Sequence, residues 1–136
     1  MARAIPTDEM LLATIYKRNL KAFSEWSEEN KTRVAKIWVP IDIDVLGKKF
    51  GCDPELIFGR LYYHMNGKYG SSTGDGQEVN FFNMRLANDR HVVNFPLLTS
   101  VLADLQDNRK RFIVSTRLAA LSLVVSAISI GIAVMT

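Results

Sequence analysis

The chain has 136 residues, which is enough for one domain of about 110 residues and a short further segment, so we expect no second domain. Its 17 basic and 14 acidic residues leave a net charge of +3, which is not typical of a strongly cationic nucleic-acid binder. A single cysteine, Cys52, excludes an intrachain disulfide and fits a reducing compartment.

The N-terminal segment predicts a long first helix. Thr7 or Asp8 can cap its start, and apolar residues recur at helical spacing as far as Trp26. A second short helical stretch is predicted from Ser27. Residues 39–41 are predicted to be extended, because the residue before a proline avoids the α region. The first residues contain no apolar run, so we expect no secretory signal peptide.

A short helix is predicted next, over residues 45–50. Asp42 or Asp44 can cap its start, and Gly51 ends it. A longer helix follows after a tight turn. Asp53 is a preferred N-cap residue, and the proline and glutamate after it suit the first turn of a helix, so we expect this helix to run over residues 54–66.

The second half of the soluble part predicts a hairpin and a last helix. Residues 70–77 are predicted to form a polar, mobile loop. Two strands are predicted over residues 79–86 and 91–95, with the turn at 87–90. Pro96 opens a helix whose apolar residues lie on one face, and we expect it to continue without a break into the apolar end of the chain.

The order of short helix, tight turn, longer helix and hairpin over residues 35–95 resembles the winged helix-turn-helix architecture. The resemblance depends on the stretch IDIDVLGKKFGCDP at 41–54, which places two helices across a turn of three to four residues. It implies a mainly α fold with a small β-hairpin wing. The same fold serves DNA binding and protein–protein contact alike, so it does not define the function.

The resemblance also implies that the helix over 54–66 is the recognition helix. The outward residues that could contact a partner or DNA are Arg60, Tyr63, His64 and Lys68. Such a helix usually presents its N-terminal residues to the major groove, where Asp53 and Glu55 would repel phosphates. Contact with another protein is therefore favoured over direct DNA reading.

The reactive residues are few, so we predict no enzyme, no cofactor and no metal site. Cys52 precedes a predicted helix, which could lower the pKa of its thiol, but a small residue packing in the turn is the favoured interpretation. His64 and His91 stand in no metal-binding motif. Asp42 and Asp44 are explained as helix caps rather than as paired catalytic carboxylates.

Residues 118–136 contain no charged side chain, and fourteen of these nineteen residues are strongly apolar. A helix of this length would span about 28 Å, close to the thickness of the hydrocarbon core of a bilayer. The basic residues that precede or flank this run are Arg109, Lys110, Arg111 and Arg117. They predict a transmembrane helix whose N-terminal side stays in the cytoplasm, with contacts to anionic head groups. Burial of the helix inside a soluble oligomer is the alternative interpretation.

One face of the apolar run carries small residues at a spacing of three and four. They are Ala119, Ser122, Ser126, Ser129 and Ala133. Small residues let membrane helices approach closely, and serine can hydrogen-bond across the contact. This stripe predicts a homo-oligomer or pairing with the membrane helix of a partner protein.

The sequence therefore predicts a cytosolic winged-helix-like domain over residues 1–110 and a C-terminal membrane anchor over 111–136, inserted after synthesis of the soluble part. The predicted function is that of a non-enzymatic adaptor or small membrane effector that binds a partner at the cytosolic face. The alternative is a membrane-tethered, DNA-binding transcriptional regulator that also uses basic residues of the hairpin.

Overall fold

A computed structural model describes residues 5–72 and 74–136 of the chain. The fold is mainly helical, with small antiparallel sheets. In chain order, the elements are α1 (Asp8–Glu25), β1 (Trp38–Pro40), α2 (Ile43–Phe50), α3 (Pro54–Gly59), a π-helix (Arg60–Met65), α4 (Asn66–Tyr69), β2 (Ser71–Ser72), β3 (Glu78–Val79), β4 (Phe82–Leu86), β5 (Asp89–Asn94) and α5 (Phe95–Met135).

The helices begin where capping residues were predicted. The hydroxyl of Thr7 accepts a hydrogen bond from the backbone N–H of Met10 at 3.2 Å, at the start of α1. The carboxylate of Asp42 accepts from two N–H groups at the start of α2. The carboxylate of Asp53 accepts a hydrogen bond from the N–H of Glu55 at 2.9 Å, at the start of α3. Each cap satisfies backbone donors that have no partner within the helix.

Two glycines allow the tight turn between α2 and α3. A Cβ at Gly47 would lie 2.8 Å from the carbonyl oxygen of Cys52 and 3.2 Å from Cγ of Pro54, so any side chain there would push the turn away. Gly51 ends α2 at a φ of 69°, a left-handed conformation that glycine adopts without steric cost.

The larger sheet is antiparallel, with the strand order β1–β5–β4. The turn between β4 and β5 is shorter than predicted, because Leu86 already pairs with Asp89. One hydrophobic core combines α1, the helical segment 54–69, the sheet and the first turns of α5. Its fully buried residues are Leu11, Leu12, Ile15, Ile57, Leu61, Met65, Phe81, Phe82, Val92, Val93, Phe95 and Leu98.

The helical stretch expected from Ser27 does not form, and residues 26–37 are irregular. Arg33 is buried in this segment, and its guanidinium donates to the carbonyl oxygens of Ala22 at 3.2 Å and Lys36 at 2.7 Å. The indole N–H of Trp26 donates to the carbonyl oxygen of Arg33 at 3.2 Å. The segment therefore folds around the Arg33 side chain instead of forming its own helical hydrogen bonds.

Two further boundaries differ from those expected. The helix predicted over 54–66 continues to Tyr69 through the π-helix. Asn66 lies inside this longer helix, where its side-chain oxygen accepts from the N–H groups of Phe81 and Phe82 at 3.0 and 3.2 Å. The predicted loop at 70–77 contains β2, which pairs with β3.

The chain divides into two compact units between Leu102 and Ala103. In the first unit, the ring of Phe95 at the start of α5 lies 4.7 Å from Phe23, measured between centroids. The second unit is the remainder of α5, in which the large apolar side chains are exposed. Helix α5 is long and apolar enough to cross a membrane, and the prediction of one continuous helix is confirmed.

Candidate functional site

Three basic residues of the predicted recognition helix converge on one carboxylate, that of Asp8 at the start of α1. Arg60 pairs through Nη2 with Oδ1 of Asp8. On the other carboxylate oxygen, Oδ2, the Tyr69 hydroxyl donates at 2.7 Å, and Lys68 Nζ and His64 Nε2 lie at 3.5 and 3.6 Å. We call these five residues the Asp8 cluster. It fastens the start of α1 to the helical segment 54–69.

The Asp8 cluster keeps Asp8 ionised and Tyr69 protonated. Burial acts to raise the pKa of Asp8, but the hydrogen bond from Tyr69 and the positive charges of Arg60, His64 and Lys68 outweigh it, so the pKa lies below its usual value. Burial, and next the hydrogen bond to Asp8, raise the pKa of the Tyr69 hydroxyl. In the folded chain, the ionised Asp8 carboxylate therefore accepts a hydrogen bond from the neutral Tyr69 hydroxyl.

The cluster reduces the charge that this helix face offers to a phosphate backbone. Arg60, His64 and Lys68 follow one another at intervals of four residues, which places them on one face as predicted. Their side chains are 27, 46 and 54 % exposed. No local pattern predicted Asp8 as their common partner, because Asp8 and Arg60 are separated by 52 positions.

Tyr63 belongs to a different group of side chains, which is aromatic. It is 77 % exposed. Its ring stands at 88° to that of Phe58, with 6.2 Å between the centroids, and at 78° to that of Tyr62, with 5.1 Å between the centroids. Tyr63 therefore contacts aromatic rings, whereas the three basic residues predicted beside it as partner-binding contact Asp8.

Tyr63 is among the residues that line a groove of about 480 Å³, which we call the aromatic groove. Its lining residues are Ile43, Glu55, Phe58, Tyr63, Met84 and His91. They come from α2, α3, the π-helix and the β4–β5 hairpin. The sequence predicted the helix and the hairpin separately, but it had no signal that Met84 and His91 would face the helix.

His91 lies between the aromatic groove and a neighbouring groove of about 440 Å³ that Asp42, Asp44 and Arg90 also line. Its backbone has a φ of 52°, which is uncommon for a residue other than glycine, although histidine tolerates it better than most. Its carbonyl oxygen accepts from the N–H of Ile41 at 2.9 Å, and its ring stacks on Phe82 at 12°. These contacts hold the conformation in place.

The basic residues before the apolar run lie on α5. Arg109, Lys110 and Arg111 are consecutive, so their side chains leave the helix about 100° apart and cover roughly 200° of its circumference. Arg111 pairs through Nε with Oδ2 of Asp107 at 3.0 Å. Both partners are largely exposed, so this pair contributes little to stability. Arg117 is also exposed, just before the apolar run begins.

The small residues predicted as a packing stripe all lie on the same continuous helix and are exposed. They are Ala119, Ser122, Ser126, Ser129 and Ala133. The hydroxyl of Ser126 donates to the carbonyl oxygen of Ser122 at 2.9 Å, and that of Ser129 to Val125 at 3.0 Å. The hydroxyl hydrogens are thereby satisfied within the helix, which lets serine enter an apolar environment at low cost.

Cys52 is half-buried in the turn between α2 and α3, beside Gly47 and Asp53, where a small residue fits. Over residues 5–72 and 74–136, no group of three histidine, cysteine, aspartate or glutamate side chains is placed to hold a metal ion. The part of the chain that the structure describes therefore offers no assembled metal centre.

No protein-family model and no curated protein matches the sequence, and no solved structure matches the fold. The function must accordingly follow from the chemistry and geometry of the residues themselves.

Proposed function

We propose that this chain is a small, non-enzymatic, membrane-anchored protein whose N-terminal domain binds a partner at the cytosolic face. The observation that carries the proposal is the charge-free run 118–136 on α5, where Leu123 is 72 %, Ile130 65 % and Val134 81 % exposed. Full burial of one such side chain is worth about 1.5–3 kcal/mol, so an entire helix of them is strongly unfavourable in water and favourable in lipid.

The basic residues support the proposed orientation. Arg109, Lys110 and Arg111 lie on the N-terminal side of the apolar run, and positive charge of this kind is retained in the cytoplasm. Each of these cations gains about 1 kcal/mol near an anionic membrane surface. Changing all three to glutamine should produce molecules of mixed orientation, measured by the labelling of a cysteine introduced at Lys31 in sealed vesicles.

The N-terminal domain is proposed to be winged-helix-like, because α2, the turn, the helical segment 54–69 and the β4–β5 hairpin follow in the order of that architecture. Binding of a protein is favoured over binding of DNA. The single negative charge of Asp8 offsets part of the positive charge of Arg60 and Lys68. Asp53 and Glu55 add carboxylates at the end of the helix that would meet the DNA.

The alternative function, a membrane-tethered DNA-binding regulator, is favoured by one observation on the hairpin. Arg85 and Arg90 lie directly opposite each other and are exposed, an arrangement of like charges that a bound phosphate would relieve. Fluorescence anisotropy of a labelled duplex with the full chain in nonionic detergent tests it. Binding should weaken steeply with salt and fall on changing both arginines to glutamine. Absence of binding at low salt removes this alternative.

Membrane association itself is tested by fractionating a cell lysate without detergent. The full chain should sediment with membranes and resist extraction by alkaline carbonate. A matched chain with Val124→Arg and Val125→Arg should move to the supernatant, because each arginine costs about 2.5–3.5 kcal/mol at the centre of a membrane helix. Recovery of the unchanged chain in the supernatant would show that the proposal is wrong.

A further inference from the structure

The aromatic groove contains one largely exposed aromatic ring, that of Tyr63, which is 77 % exposed. The neighbouring Phe58 ring is packed among other rings: Tyr62 stacks on it at 5.3 Å, and Tyr63 and His91 make edge-to-face contacts with it at 6.2 and 5.6 Å, all measured between centroids. The face of an aromatic ring carries partial negative charge, so the exposed Tyr63 ring attracts a positively charged group.

Most of the charged side chains around the groove are negative, as the binding of a positively charged group requires. Glu55 is the one aspartate, glutamate, lysine or arginine among the described residues that line the aromatic groove. The neighbouring groove, which shares Ile43 and His91, adds Asp42 and Asp44 and a single arginine, Arg90. Carboxylates therefore outnumber basic groups along this continuous surface.

The volume of the aromatic groove and its apolar lining residues indicate a ligand larger than a bare ion. At about 480 Å³ the groove falls in the range of ligand pockets. Ile43 and the half-exposed Met84 supply apolar surface in the same groove as Tyr63. A cationic side chain would lie on the Tyr63 ring, and an apolar neighbour on the same ligand would cover Ile43 and Met84. The flexible thioether of methionine suits such an adaptable contact.

We propose that the aromatic groove binds an organic cation, and that this cation is the side chain of an arginine or lysine, next to an apolar residue, on a partner polypeptide. The inference rests on the proposed function in one respect only, namely that the partner is a polypeptide. It names the chemistry by which that partner is recognised: a cation against the Tyr63 ring, a carboxylate at Glu55, and an apolar contact at Ile43 and Met84.

The test uses the full chain, labelled with ¹⁵N, in nonionic detergent micelles, followed by nuclear magnetic resonance. The probes are N-acetyl-arginyl-leucinamide, its glutaminyl analogue and choline chloride. The arginyl compound should shift the amide signals of Glu55, Phe58, Tyr63 and Met84, and the uncharged analogue should bind several-fold more weakly. Equal binding of the two dipeptides would overturn the proposal, as would tighter binding of choline than of the arginyl compound.

Matched variants separate the aromatic and charge contributions. Tyr63→Leu should weaken arginyl binding about two- to five-fold, whereas Tyr63→Phe should retain it, because only the first removes the ring face. Tyr63 is largely exposed, so neither change should unfold the domain, which circular dichroism would verify. Glu55→Gln should weaken binding by up to about five-fold, and the control Glu25→Gln should leave it unchanged. Unchanged binding by Tyr63→Leu would contradict the assignment.

Failure of this inference and failure of the proposed function give different results. The dipeptide titration is performed in micelles and does not depend on where the chain resides in the cell. Loss of membrane association in the fractionation would overturn the anchor and leave the titration intact. Absence of dipeptide binding would overturn the cation site and leave the anchor intact.

Discussion

Many apolar side chains are buried in the first compact unit of the chain, whereas those of the run 118–136 are exposed. In the first unit, Leu12, Ile57 and Leu61 are completely buried. In the apolar run, Leu121, Ile128 and Val134 are between 57 and 81 % exposed. The same residue types therefore form a protein core in one region and remain exposed in the other, a difference that supports the proposed membrane anchor.

The polar groups show the complementary difference. The first unit satisfies buried charge with specific partners, as the Asp8 cluster and the hydrogen bonds of Arg33 illustrate. The run 118–136 has no charged side chain to satisfy, and two of its serine hydroxyls donate within the helix. The first unit thus pairs its buried charges, and the run 118–136 contains none, as the proposed membrane anchor requires.

The largest effect should come from shortening an apolar residue in the core. Ile57 is completely buried, so Ile57→Ala should lower the free energy of unfolding of the domain by about 2–5 kcal/mol. The matched change Leu123→Ala, in the apolar run, should leave it unchanged. Urea unfolding of the full chain in nonionic detergent, followed by tryptophan fluorescence, measures both. Equal losses would contradict the contrast between the two regions.

The next effect concerns the Asp8 cluster. Asp8→Asn removes the charge that Arg60, His64 and Lys68 share, and the side chain it replaces is only 11 % exposed. The free energy of unfolding should fall by about 1.5–3 kcal/mol, the usual range for hydrogen bonds to a charged group. Glu25→Gln breaks the exposed pair of Lys21 and Glu25 and should have little effect. Similar losses of unfolding free energy from both changes would show that the Asp8 cluster stabilises the fold no more than an exposed ion pair does.

The Asp8 cluster should also make stability depend on pH in one direction. Because the pKa of Asp8 is lower in the folded chain than its usual value of about 3.9, its stabilisation is present above that pH and is lost as the pH falls through the folded pKa. The difference in unfolding free energy between the unchanged chain and Asp8→Asn should therefore shrink from pH 5 to pH 3. A difference that stays constant over this range would contradict the shift.

The smallest effect is expected for the stripe of small residues on the apolar run. Ser126→Leu places a bulky side chain in the proposed contact between helices and should weaken self-association by about 0.6–2 kcal/mol. Val125→Leu, one position away and off the stripe, is the matched control. Resonance energy transfer between labelled copies in vesicles measures both. A larger effect from Val125→Leu would place the contact on another face.

The sequence predicted those parts of the fold that depend on neighbouring residues. Asp53 was predicted as a cap, Asp42 as one of two candidate caps, and Gly51 as the end of a helix, because each acts on groups within four positions. The apolar run was equally evident, since its length and lack of charge are local properties. The prediction of a helix that could span a membrane was therefore possible before any contact was known.

The parts that the sequence did not predict depend on distant partners. Arg33 organises residues 26–37 by donating to the carbonyl oxygens of Ala22 and Lys36, a role that no local pattern announces. The helix that carries Arg60, His64 and Lys68 was predicted from local signals, but the partner that these side chains share, Asp8, lies more than fifty positions away. The aromatic groove likewise required the hairpin to be placed against the helix.

A spin label at Val125→Cys tests most directly whether residues 118–136 lie in lipid. The label is introduced in a Cys52→Ser background, because Cys52 is the one cysteine of the sequence. In phosphatidylcholine vesicles, electron paramagnetic resonance should find the label accessible to molecular oxygen and inaccessible to a water-soluble nickel chelate. Low accessibility to both reagents would place the helix inside a protein assembly. High accessibility to the nickel chelate would place it in water, and either result would contradict the anchor.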